Sequence, residues 1–294
     1  MTKEKPKLKT IISAAILVML AVLLVIVARK NALSQEKPEP SEPNEHEGMV
    51  QVYDGSEYIW ITPAKSIGLS KLGADKFTQD SYGRPIYTGS DFVALRGVDV
   101  SDYQPNIDWQ AVYDSGVRFA IIRAGGRYYG KAGGLFTDDD IRRNLEGAKK
   151  AGLMVGVYFF SQAVNESEAK EEAELALELI GDTELDLPVY FDWEKIYNDT
   201  ARTDDVNGKT MTDCAIEFCR TIEKSGYKAG VYLYPYIAYH GYELGRLADY
   251  DLWYAAPGGA PNFYYELDVW QCSFEGEVPG IWGPCDTDMI FLEK

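Results

Sequence analysis

The chain has 294 residues, 46% of them hydrophobic and 13% aromatic, enough for one large domain with a sizeable core and some appendages. Its formal charge of −17 is unevenly spread: residues 1–30 hold six lysines and arginines against Glu4, a net +5, which leaves −22 for the remainder. So acidic a body repels nucleic-acid phosphates, and two histidines, His46 and His240, are too few for a folded zinc site that uses two or three of them.

Residues 1–10 read as a short cytoplasmic tail with Lys3, Lys5, Lys7 and Lys9, before an uninterrupted uncharged run from Ile11 to Ala28. Eighteen such residues at 1.5 Å each can cross a bilayer, and the basic flank favours an inside N-terminus with everything after it outside. The run is long and is followed by Arg29-Lys30, so it is expected to be an uncleaved signal anchor at 11–28, the chain being secreted if it is cleaved. Residues 29–48, rich in Glu, Pro, Ser and Asn, are expected to be a disordered spacer.

Residues 49–94 form a small β-rich region in which Val50–Val52 and Tyr58–Ile61 flank Asp54-Gly55-Ser56 as a hairpin. Gly83-Arg84-Pro85 marks a second turn. About 45 residues without staples is marginal for independent folding, which favours an appendage packed on the main body over a separate binding module.

From residue 95 to 294 strands alternate with helices. Strands are expected at 95–101, 117–124, 153–161, 187–194 and 228–234, and helices at 109–115, 138–151, 166–180 and 210–225, with Asn165 or Ser167 capping the third. Three further strands at 252–256, 267–272 and 289–292 follow with too little chain between them for crossover helices. The expected fold is α/β, an incomplete TIM-like (β/α)5(β)3 barrel. Cys214 and Cys219 are five apart on a helix and pack as small apolar residues, whereas a bridge between Cys272 and Cys285 is left open.

A Ser-His-Asp hydrolase would have to rely on His240 and has no G-x-S-x-G elbow. An oxygen-ligand magnesium or calcium site is not excluded, but the reading calls for no cofactor and no metal. What remains is carboxylate chemistry. In Leu187-Pro188-Val189-Tyr190-Phe191-Asp192-Trp193-Glu194 the side chains alternate faces, so Asp192 and Glu194 share one, with Cα atoms roughly 6.5–7 Å apart. Working groups of parallel barrels sit at the C-terminal strand ends. There the first strand carries Asp99, the fourth Asp192 and Glu194, while Asp286 and Asp288 flank the start of the eighth. Tyr103, Tyr158, Tyr190, Tyr232, Trp253, Trp270 and Gln271 accompany them as candidate substrate contacts. Acids in an aromatic cleft suit glycoside hydrolysis, one to protonate the leaving oxygen and another to stabilise or trap the cationic centre.

Gly97-Val98-Asp99-Val100-Ser101 with Tyr103-Gln104, Asp192-Trp193-Glu194, Trp270-Gln271, and Pro279-Gly280-Ile281 leading to Asp286 resemble the glycoside hydrolase family 25 muramidases, the Chalaropsis-type lysozymes. The resemblance covers about Leu95 to Lys294 and implies cleavage of the β-1,4 bond between N-acetylmuramic acid and N-acetylglucosamine in peptidoglycan. It implies Glu194 as proton donor, Asp192 as the carboxylate that orients the acetamido group, and Asp99 and Asp286 as supporting acids. A substrate-assisted route and a direct inverting displacement both stay open. Cys285-Asp286-Thr287-Asp288 stands where the family commonly has Val-Asp-Leu-Asn, which leaves the choice between Asp286 and Asp288 open. The competing readings are a catalytically silent wall-binding or scaffold module on the same barrel, and a metal-dependent deacetylase, which the histidine count disfavours. Expected partners are peptidoglycan strands and, through the anchor, the membrane; the oligomeric state is not legible.

Overall fold

The computed structural model describes residues 45–294, of which Gly48–Lys294 form one compact unit. The expected tail, the anchor at 11–28 and most of the spacer lie outside the described residues. Among the described residues no helix is long and apolar enough to cross a membrane.

Two small hairpins precede the barrel: β1 (Val50–Tyr53) with β2 (Tyr58–Ile61), and β3 (Phe77–Gln79) with β4 (Pro85–Tyr87). They are fastened to the main body. Ser70 donates its backbone N–H to the Tyr264 carbonyl, Ala64 donates to the Tyr265 hydroxyl, and the Phe77 ring stands edge-on to Trp270 at 5.4 Å.

The barrel strands are β5 (Phe92–Val100), β6 (Val117–Arg127), β8 (Met154–Ser161), β9 (Val189–Trp193), β10 (Ala229–Leu233), β11 (Asp251–Ala255), β12 (Val269–Gly276) and β13 (Cys285–Glu293). β5 pairs with both β6 and β13, which closes the eight into a ring. The pairs from β5 through β6 and on to β12 are parallel, but β13 is antiparallel to both its neighbours, so its first residues lie at the mouth where the other strands end. Its extent corrects the expectation of a strand starting at Met289: eight paired positions with β5 draw Asp286 and Asp288 into the strand itself. A further strand, β7 (Leu135–Thr137), folds back on β6 through the Gly125–Thr137 to Arg127–Leu135 pairs.

Helices α1 (Trp109–Asp114), α2 (Ile141–Ala151), α3 (Glu166–Ile180) and α4 (Gly208–Lys224) carry the first four crossovers. The Asn165 side chain caps α3 by accepting from the Glu168 N–H at 3.0 Å. The fifth crossover departs from the expected (β/α)5 pattern: a π turn at Ile237–Gly241 and a 3-10 turn at Leu244–Arg246 replace a helix. Gly241 and Gly245 interrupt any longer helical run there.

Alternation along each strand builds two cores. Phe119, Ile121, Tyr190, Tyr232, Trp253, Val269 and Ile290 fill the barrel, while Ala120, Ile122, Val189, Phe191 and Trp270 face out toward helices and hairpins. Glycine makes room for the large interior rings: a Cβ on Gly230 would lie 2.5 Å from the Tyr190 ring, and one on Gly97 would lie 2.2 Å from Phe119. The lower layers are thus solid, and the open space is at the mouth. All four cysteines are buried free thiols, and Cys285 pairs in register with Gly276, four residues beyond Cys272, so the 272–285 bridge is not formed.

Candidate active site

A cavity of about 500 Å³ opens at the C-terminal ends of the parallel strands. Of the eleven residues selected from sequence, nine line it: Asp99, Tyr103, Tyr158, Asp192, Glu194, Tyr232, Trp253, Gln271 and Asp286. The other two do not. Tyr190 shares the inward face with Asp192 but sits one layer deeper, fully buried against Trp253 with ring centres 5.3 Å apart. Trp270 has the opposite parity to Gln271, so it points out of the barrel, where its indole donates to the Ala256 carbonyl.

Asp99 and Asp286 face each other across the β5–β13 pairing. The Gln271 amide, held by the Tyr232 hydroxyl on its oxygen at 2.7 Å, donates to Asp99 Oδ2 at 2.7 Å and to Asp286 Oδ2 at 3.0 Å. Asp288 lies behind them, 1% exposed, accepting from the Trp253 indole at 2.9 Å. Burial, reinforced by the charges of Asp288 and Asp286, raises Asp99 well above the ordinary carboxyl range. Burial first and then the Glu194 charge push Asp286 up to about 7, and burial pushes Asp288 up to about 8. Between the two last-strand acids, Asp286 is the one that reaches the cavity.

Asp192 and Glu194 lie close enough for one proton to join their carboxyls. Burial raises both; for Asp192 the Glu194 charge adds to it, whereas the hydrogen bond from Asp192 holds Glu194 back, and the pair as a whole keeps a proton to higher pH than isolated carboxyls. Asp192 Oδ1 is buried without a donor among the described residues, an acceptor that a ligand N–H could satisfy.

Two arginines that the sequence reading passed over complete the wall. Arg123 donates Nε to Asp138 at 2.9 Å, pairs with Asp102, and sits 5.1 Å from the centre of the Tyr103 ring. Its charge draws Asp192 back toward ionisation. Arg127 donates to Glu172 at 2.7 Å and to the Gly133 carbonyl at 2.8 Å. Both stand in a stretch of β6 with no other polar side chain, Phe119-Ala120-Ile121-Ile122-Arg123-Ala124-Gly125-Gly126-Arg127, and charges so placed were the available signal. Phe136, brought in by β7, and Tyr128 and Tyr129 form the lip. Among the described residues no group of three or more His, Cys, Asp or Glu side chains is disposed to hold a metal ion.

An acid pair sharing a proton, backed by further acids and walled by aromatic rings, can protonate an acetal oxygen while stabilising the cation left behind. The family model for glycosyl hydrolases family 25 matches residues 98–281. The protein YegX of Escherichia coli (strain K12) is 28% identical over 211 residues, 67% of this chain and 69% of that one. The autolytic lysozyme of Clostridium acetobutylicum is 28% identical over 195 residues, 66% of this chain and 55% of that one. The solved modular autolysin LytC of Streptococcus pneumoniae superposes with a TM-score of 0.58 at 24% identity, covering 76% of this chain and 52% of LytC, and LytC has also been solved with a synthetic peptidoglycan ligand. The chain thus spans about half the length of these last two relatives.

Proposed function

The chain belongs to glycosyl hydrolases family 25, and from that premise we propose that it is a peptidoglycan hydrolase cleaving the β-1,4 bond between N-acetylmuramic acid and N-acetylglucosamine. The observation that carries this reading is the convergence of four acids on one cavity, Asp192 and Glu194 from the end of β9 with Asp99 and Asp286 from β5 and β13.

Glu194 is the less buried member and gives its proton to the glycosidic oxygen. The proton leaves the pair at that moment, so both carboxylates are anionic as positive charge grows on the anomeric carbon. Asp192, through its donor-free Oδ1, takes the N–H of the substrate's acetamido group and turns the acetamido oxygen toward that carbon. Carboxyls this close leave no room for a water on the opposite face of the ring, which favours the substrate-assisted route over inversion. Gln271 keeps Asp99 and Asp286 apart and oriented.

We read residues 11–28 as a signal anchor that holds this domain on the outer face of the membrane, where its substrate lies; the length of the apolar run and its basic flank support it. Protease shaving of intact cells would remove the domain if this is right and spare it if the domain is internal.

The test of activity is the full chain incubated with purified cell wall. New reducing ends on muramic acid are expected from the wild type and a loss of at least about 100-fold from Glu194→Gln. A wild type that binds wall but releases nothing would instead be a silent module on the same barrel.

A further inference from the structure

We propose that the β1–β2 hairpin, which lies outside the family-matched residues 98–281, builds one wall of a second chamber that holds the leaving-side sugars of the glycan and so determines which bond of a strand is cut. The proposal rests on the hydrolase reading above.

The second cavity, about 640 Å³, meets the first at Glu194 and Tyr232, which line both. An acid that protonates the oxygen between two sugars must have a sugar on each side of it. The sugar that becomes cationic belongs among Asp99, Asp192 and Asp286, all in the first chamber. The second chamber has none of these acids; it is lined by Tyr53, Tyr197, Tyr234, Phe274 and Asn262, rings and an amide suited to the faces and acetamido groups of neutral sugars. Across the scissile bond, then, the second chamber takes the leaving N-acetylglucosamine and the residues that follow it.

The hairpin reaches this chamber through Tyr53 and Gly55. Asp54 fixes the turn, its Oδ1 accepting from the backbone N–H groups of Ser56 at 2.8 Å and Glu57 at 2.9 Å. Its Oδ2 meets His240 Nε2 at 2.8 Å, so the turn is clamped to the segment that replaces the fifth helix. A Cβ on Gly55 would stand 3.4 Å from Pro235, which shows how closely the tip is seated. Where a regular barrel would place a crossover helix, this chain places a π turn and a clamp for a strand hairpin.

The experiment compares wild type with Tyr53→Ala, Tyr53→Phe and His240→Ala on a defined glycan hexasaccharide, reading kcat, KM and the position of the cut. For Tyr53→Ala we expect KM to rise about tenfold, about 1.4 kcal/mol of lost binding, and cleavage to spread to bonds nearer the reducing end. Tyr53→Phe, which keeps the ring, should retain KM within about twofold, and His240→Ala should move KM in the same direction as Tyr53→Ala. A second measurement places Tyr53→Ala in a Glu194→Gln chain and titrates it with the tetrasaccharide of alternating N-acetylglucosamine and N-acetylmuramic acid, where the Kd should rise by the same factor. Unchanged KM, Kd and cut position in a wild type that does hydrolyse the glycan would overturn the hairpin's role alone. A wild type that neither binds nor cuts would remove the hydrolase reading and this inference with it.

Discussion

Asp99 and Asp286 stand opposite each other on antiparallel strands, and a single amide nitrogen, Gln271 Nε2, donates to both. That N–H is one of the influences that restrain the upward shift of Asp99. In Gln271→Ala the Asp99 carboxyl should therefore titrate at higher pH, read from its carboxyl-carbon resonance, and kcat should fall roughly tenfold, equivalent to about 1.4 kcal/mol. A titration that stays in place would mean the amide has no electrostatic role.

The pair Asp192–Glu194 should give a bell-shaped rate profile. A second proton neutralises Asp192 on the acid side, and loss of the shared proton disarms Glu194 on the alkaline side. Asp192→Asn keeps a donor toward Glu194 but removes the second ionisable carboxyl, so the last proton no longer leaves two neighbouring anions behind and the alkaline limb should move to lower pH. Initial rates across pH on soluble wall fragments would show it, and an alkaline limb that moves upward would contradict the assignment.

Much of this was legible because strands print their geometry as alternation. The period of two placed Asp192 and Glu194 together, and the same arithmetic applied to β12 shows why Gln271 reaches the cavity while Trp270 cannot. Tyr190 defeated the reading because parity says which face a side chain takes, not which layer it fills; that depends on Gly230 of the neighbouring strand leaving space for its ring. The (β/α)5 pattern implied a fifth crossover helix without giving it a range, and only a five-residue π-helix and a 3-10 turn span it. Arg123 was legible as a charge in an apolar strand, but its partners, Asp102 and Asp138, become visible only when the chain is folded.

Asp288 supplies a stability prediction. Its folded-state pKa of about 8 lies above the ordinary value of 3.8, so the folded chain resists its ionisation. The stabilisation is complete below about pH 4 and is lost as pH rises toward about 8. Asp288→Asn keeps an oxygen for the Trp253 indole and removes the ionisation. Its melting temperature should exceed that of the wild type by several degrees at pH 8, at about 2–4 °C per kcal/mol, with the gap closing at pH 4. An equal difference at both pH values would rule out titration as the cause.

Glu172 and Arg127 form a pair with little solvent contact, Glu172 also accepting from the Ser161 hydroxyl at 2.6 Å. Glu172→Ala takes the buried carboxylate from Arg127 Nε and leaves the guanidinium the exposed Glu171 and the Gly133 and Glu168 carbonyls, which should cost about 3 kcal/mol in denaturant unfolding, whereas Glu172→Leu combined with Arg127→Met should cost far less. Equal losses in the single and double variants would show that the pair matters through shape alone.

Overpacking gives the sharpest test of the layered interior. Gly97→Ala pushes a methyl into the Phe119 ring and should cost about 1–3 kcal/mol; adding Phe119→Leu should restore part of it. No recovery in the double variant would place the strain elsewhere.

The reversed last strand has a consequence for when the molecule becomes active. β13 must find β5, nearly two hundred residues earlier, and contacts of such long range are the slow ones in folding. That one pairing both seals the barrel and delivers Asp286 beside Asp99. Zipping the wall shut and finishing the cleft are therefore a single event, so a chain in which β13 is unpaired carries Asp192 and Glu194 but no complete ring of acids, and catalytic competence arrives only with closure of the barrel.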